Sequence, residues 1–215
     1  MNPPAGPSRR HELAGLVGPI QDALAASNAA REVALPACRQ VIRASGSSIR
    51  AVHRLEPERA ADLADEAETA LRRAQDVLEP FPAIVHAGFL HDAEKEYVEA
   101  RTVAALIGGG PLPGPAELRV EGTAWMRGIA EAASELRRHL LDRLRDGDLA
   151  RGEELLAVMD DVYDALVVVD WPDAITSGLR RTLDALRAVL ERTRGDVTTT
   201  VLQTRLQRAL GADQP

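Results

Sequence analysis

The 215-residue sequence holds one cysteine, Cys38, and one lysine, Lys95. A single thiol excludes an intrachain disulfide and a thiolate metal cluster, and points to an intracellular, cytoplasmic setting. No apolar run approaches the roughly 18 residues of a membrane span, so no membrane association is expected. Aromatic residues are 3% of the chain, which leaves the core to Leu, Val, Ile and Ala. Alternating apolar and polar runs are scarce, so an extended sheet is not expected. Gly-rich phosphate loops and nucleophile elbows are absent. The opening MNPPAGPSRR lacks an apolar segment and a cleavage site. Residues 1–9 therefore read as a flexible tail before one domain spanning 10–212.

What is present is helix. Ala, Leu, Arg and Glu dominate, while Pro and Gly mark boundaries. Helices are expected at about 9–27, 29–54, 57–78, 82–107, 116–145, 149–170, 173–193 and 196–210. Pro36 is expected to kink the second of these or to mark its start. The fold class is all-α.

The net charge of −7 argues mildly against a non-specific nucleic-acid binder. A local basic stripe can nevertheless dominate a groove. Of the 26 basic residues 25 are Arg, whose planar guanidinium suits phosphate. On a helical wheel of about 100° per residue, Leu35, Cys38, Ile42, Ile49 and Val52 fall on one side. Arg39, Arg43, Arg50 and Arg54 cluster within about 60° on another. This stripe is a solvated face, a set of salt bridges to acidic helices nearby, or a phosphate-tracking ridge.

The segment 82–107 carries an anomaly. Val85, Phe89, Ala100, Val103 and Ile107 all lie within about 40° of Glu96, which places that carboxylate in the middle of the apolar stripe. Asp92 lies at the edge of the stripe, and Glu99 about 60° to one side. A lone buried carboxylate is unfavourable by several kcal/mol unless it is paired, protonated or metal-bound. Carboxylates at i and i+3 repel and ask for a cation. Mg²⁺, or Mn²⁺, is the natural candidate, and a structural ion pair with an Arg is the alternative.

Two other patterns carry less. Asp160-Asp161-Val-Tyr-Asp164 spells the DDxxD of helical prenyl-diphosphate enzymes but lacks a second aspartate-rich segment, so a solvated face with Tyr163 packed inward is expected. Glu135 and His139 stand at i and i+4, where di-iron bundles use i and i+3.

The run His91-Asp-Ala-Glu-Lys-Glu-Tyr-Val-Glu-Ala100 resembles the D-A-x-x-E-Y-x-E-A segment of the translin family, which includes translin-associated factor X. Ile42-Arg-Ala-Ser-Gly and Ile49-Arg-Ala-Val-His-Arg54 resemble its first block. Gly128-Ile-Ala-Glu-Ala-Ala-Ser-Glu-Leu-Arg-Arg138 resembles its G-x-x-D/E-x-x-x-E-L-x-R helix. Met159-Asp-Asp-Val-Tyr-Asp164 and Leu179-Arg-Arg-Thr-Leu-Asp184 resemble its C-terminal blocks.

The resemblance implies a single-domain antiparallel helical bundle of about seven helices. It further implies a homo-oligomeric shell, usually an octamer, that binds single-stranded RNA and DNA on basic inner surfaces. In the translin-associated factor X branch it implies Mg²⁺-dependent endoribonuclease activity, with Glu96 and Glu99 as candidate catalytic and metal-ligating residues. Arg39, Arg43, Arg50 and Arg54 are the candidate nucleic-acid contacts, on the wheel alone. The family's third acidic ligand is expected at Ala124, in Ala124-Trp125-Met-Arg-Gly128, where no metal-binding atom exists. Glu131, at about 10 Å along the helix from Ala124, and Glu135, at about 16 Å, read as too far to replace it. Nuclease activity is thus expected to be weakened. A catalytically inactive nucleic-acid binder and a helical protein-assembly scaffold are the alternatives.

Overall fold

A computed structural model describes residues 9–85 and 88–212. The described elements are all helical, in the order α1 (Arg9–His53), α2 (Pro57–Leu78), α3 (Pro82–Val85), α4 (Phe89–Gly108), α5 (Pro115–Leu118), α6 (Gly122–Arg145), α7 (Leu149–Val167), α8 (Asp173–Thr176) and α9 (Leu179–Ala212). Of the expected tail, residues 1–8 lie outside the described residues, and Arg9 is already helical.

The breaks differ from expectation in both directions. The segments 9–27 and 29–54 form one helix that runs through Pro19 and Pro36. Pro36 and Glu32, whose carbonyl loses its amide partner, are both exposed, so water can complete that carbonyl. Gly195-Asp196 likewise does not start a helix. Both lie inside α9, where Asp196 accepts from Arg137 at 2.7 Å. Conversely, the segment 82–107 breaks at Gly88, whose φ of +91° suits glycine. Val85 therefore belongs to α3 and lies off the wheel that holds Glu96.

Side-chain contacts set the directions of the helices. Gln40 of α1 meets Glu66 of α2, and Ser48 meets the Ala60 carbonyl, so these two helices are antiparallel. Arg180 meets Asp170 and Arg194 meets Asp160, which makes α7 and α9 antiparallel as well. Helices α4 and α6 instead run parallel: His91 pairs with Thr123 near their starts, and Lys95 with Glu131 further along. The segment between them returns along α4. Its Leu118 and Arg119 carbonyls accept from Arg72 at 2.6 and 3.1 Å, and the Glu121 amide donates to Glu94 at 3.2 Å. Glu121 then caps α6 by accepting from the Thr123 and Ala124 amides.

Helix α4 is the axis of the core and packs against α1, α2 and α6. It buries Leu90, Ala93, Tyr97, Val98, Ala100 and Val103 in several directions, so no single apolar stripe describes it. Tyr97 is fully buried; its hydroxyl donates to Glu68 at 2.9 Å and Arg101 lies over its ring at 5.4 Å. Helices α4 and α6 approach closely at Gly128. A Cβ there would stand 2.6 Å from the Val98 Cβ and 2.8 Å from the Lys95 carbonyl oxygen. Because one of those atoms is backbone, Gly128→Ala must push the two helices apart. A loss of about 1–3 kcal/mol in chemical denaturation is the expected result. An unchanged midpoint would show that the interface yields freely.

Candidate metal centre and nucleic-acid face

The parallel register of α4 and α6 brings three carboxylates together. Ligand oxygens of Glu96 and Glu99 on α4 and Glu131 on α6 lie within 4.8 Å of one another. Glu99 is the most buried, at 8% exposure, while the Glu96 and Glu131 side chains are 26% and 28% exposed. This reverses the order read from the wheel, which made Glu96 the intrusive charge. Because α4 is surrounded, the face bearing Glu99 is covered as well. Burial first, and then the negative charges of Glu96 and Glu131, push the Glu99 carboxyl up to about 8. The Lys95 ammonium donates to Glu96 Oε1 at 2.9 Å and to Glu131 Oε2.

Cations and anions continue along the same seam. Arg127 approaches Asp92 at 3.8 Å and Glu131 at 4.0 Å, and its Nε is buried without a partner. On the other side His53 of α1 pairs with Glu135 of α6 at 3.1 Å. That hydrogen bond, ahead of the opposing effect of burial, holds the Glu135 carboxyl below the usual range. Burial and the Arg143 charge lower the buried His139, one turn further on. The donor set fits a hard divalent cation: three carboxylate oxygens at close range, two of them reachable from solvent.

The arginine stripe lies on the exposed face of α1. Arg39, Arg43, Arg50 and Arg54 are all exposed. Among the described residues, no carboxylate lies within ion-pair distance of any of the four, and Arg50 bonds only the Ser47 hydroxyl, at 2.8 Å. The salt-bridge alternative therefore has no support among these residues. From Arg39 to Arg54 the stripe extends about 22 Å. Its end flanks His53, which links it to the carboxylate seam through Glu135. The apolar side of this helix is shifted from the wheel: Val41, Ala44, Ser45 and Ser48 are buried, whereas Ile42 is 39% exposed.

The fold is similar to that of C3PO from Archaeoglobus, with a TM-score of 0.80 and 31% sequence identity across 87% of this chain and 97% of that one. The chain belongs to the translin family. A structure of the Archaeoglobus protein in complex with duplex RNA matches at 32% identity and a TM-score of 0.69, again over 87% of this chain and 97% of that one. C3PO from Nematostella, 18% identical over 86% of this chain and 96% of that one, shares the fold with a TM-score of 0.74. An uncharacterized protein of Methanocaldococcus jannaschii is 28% identical over 189 residues, 87% of this chain and 83% of that protein. No family model matches the chain.

Within this translin-family fold, Ala124 is fully buried at the start of α6, where its amide donates to the capping Glu121 carboxylate at 3.2 Å. The acidic third member is Glu131. Reading it as too distant compared it with Ala124 along one helix, whereas the distance that matters crosses to α4. Gly128-Ile-Ala-Glu131 carried the signal: a glycine that lets two helices touch puts the residue one turn later beside the facing helix. Lys95 and the buried Glu94, which accepts from Gln75 at 2.7 Å, were also missed. The aspartate-rich segment behaves as expected. Asp161 and Asp164 are exposed, Asp160 pairs with Arg194 at 2.7 Å, and Tyr163 packs on the core. Among the described residues no helix is long and apolar enough to cross a membrane.

Proposed function

We propose that this translin-family protein binds single-stranded RNA and DNA along the α1 arginine ridge and cuts RNA at the Glu96, Glu99 and Glu131 centre, inside a closed homo-oligomer. The convergence of those three carboxylates carries the reading, because it restores the acidic set that Ala124 had put in doubt. Glu96, Glu99 and Glu131 would hold Mg²⁺ or Mn²⁺. When bound, such an ion supplies Lewis-acid activation of water and neutralises charge developing on a phosphate. Arg39, Arg43, Arg50 and Arg54 would align the strand, and Arg127 stands beside Glu131 as a further cation for phosphate. The duplex RNA complex of the Archaeoglobus protein supports nucleic acid as the ligand class.

Assembly has its own support. Leu13, Leu16, Ile20 and Leu24 of α1 and Leu202, Leu206 and Leu210 of α9 are exposed at helical spacing, on segments that bury nothing within the chain. Light scattering of the full chain should give a closed oligomer, an octamer by family resemblance. A monomer at micromolar concentration would remove the shell from the proposal.

Binding is tested by titrating salt against labelled single-stranded RNA in chelator, so that cleavage does not interfere. Affinity should fall steeply with salt, and Arg39→Glu/Arg43→Glu should lower it about tenfold or more and flatten the slope. Absence of binding at low salt would leave a protein-assembly scaffold. A preference for duplex RNA would correct the single-strand assignment.

A further inference from the structure

The chain's one lysine stands at the centre of the carboxylate cluster, while every other basic side chain is arginine. Its side chain is only 10% exposed, and its ammonium bridges Glu96 and Glu131, two of the three groups that would hold a metal. A compact ammonium on a flexible four-carbon stem can lie between two carboxylates and leave again; a planar guanidinium fork, which locks bidentately, suits exchange less well. Glu99, by contrast, has no hydrogen bond to Lys95, although the three carboxylates lie within 4.8 Å of one another. An ammonium bonded to both Glu96 and Glu131 takes one oxygen of each, and the negative charge that a divalent ion would draw on.

We propose that Lys95 is a built-in competitor for the metal: it occupies the centre in the metal-free protein and must swing out of the Glu96–Glu131 bridge when the ion binds. This rests on the metal-site reading above. Metal uptake is then an exchange of one cation for another, so the site is held together without metal at the expense of affinity for it. The displaced ammonium remains on α4 beside the site.

Two measurements on the full chain without nucleic acid test this. Mn²⁺ binding, read from the spectrum of free Mn²⁺, should be about tenfold tighter or more in Lys95→Met than in wild type. Metal-free Lys95→Met should melt lower, and its melting temperature should rise further on adding Mn²⁺. In wild type, the rate at which a water-soluble amine reagent acylates Lys95, followed on its own peptide by mass spectrometry, should rise several-fold when Mg²⁺ or Mn²⁺ is added. The second measurement needs no variant, so a failure of Lys95→Met to fold leaves the test intact. Equal or weaker Mn²⁺ binding by folded Lys95→Met, or an acylation rate unmoved while metal binds, overturns the role of Lys95 alone. If neither wild type nor Lys95→Met binds metal, the metal centre itself is wrong.

Discussion

Replacing Glu131 with Gln should remove most of the metal-dependent RNA cleavage proposed for this chain. The side chain keeps its volume and a hydrogen-bonding oxygen but loses the charge that completes the three-carboxylate set. Loss of one charged group that stabilises a phosphoryl transition state lowers rates by about 10²–10³-fold, and Mn²⁺ affinity should fall with it. The comparison variant is Ala124→Asp, at the position where resemblance alone had placed the third ligand. Ala124 is fully buried, so an aspartate there enters the core and should destabilise the protein without raising its activity. Cleavage that survives Glu131→Gln would show that Glu131 is not a needed ligand, and cleavage that rises in Ala124→Asp would show that position 124 can complete the site.

The second large effect has opposite signs for stability and for function. Burial and the charges of Glu96 and Glu131 push Glu99 up to about 8, from an ordinary value of 4.5. For a carboxyl raised on folding, its contribution to stability is fully present below 4.5 and is lost as pH rises towards 8. Glu99→Gln removes that loss. At one pKa unit per 1.36 kcal/mol, the metal-free variant should be more stable than wild type at pH 8 by about 4 kcal/mol, and within about 1 kcal/mol of it at pH 5. For a chain of this size that is a rise of about 8–16 °C in melting temperature at pH 8. The same variant should lose the stabilisation that Mn²⁺ is expected to give wild type. In wild type, metal binding must displace the proton on Glu99, so affinity should increase from pH 6 to pH 8. Equal melting temperatures for wild type and Glu99→Gln at pH 8 would show that Glu99 is not held against its charge.

Much of the fold was legible because helical periodicity and punctuation by Pro and Gly are local signals. The break expected between the helices at 116–145 and 149–170 is found, with Gly147 at φ +82° and Asp148 capping α7. Pro36 misled because a proline whose lost partner carbonyl faces water is tolerated within a helix. Glu96 and Glu99 stood out as carboxylates near apolar positions, and the arginines as one face. Their ranking by burial did not, since a wheel assumes one covered side and α4 packs against α1, α2 and α6 in different directions. Glu131 was least legible of all. Its place depends on a segment of chain that returns along α4 so that α6 runs parallel to it, and on a glycine contact that sets the register. Both are tertiary facts with no local periodicity.

The most direct test is cleavage of an end-labelled single-stranded RNA by the full chain, with Mn²⁺, with Mg²⁺ and in chelator, beside the Glu96→Gln/Glu99→Gln variant. Cleavage by wild type that needs the metal and is absent from the variant is the expected result. RNA left intact by wild type at saturating Mn²⁺, or cut equally by the variant, would contradict a nuclease centre at these carboxylates.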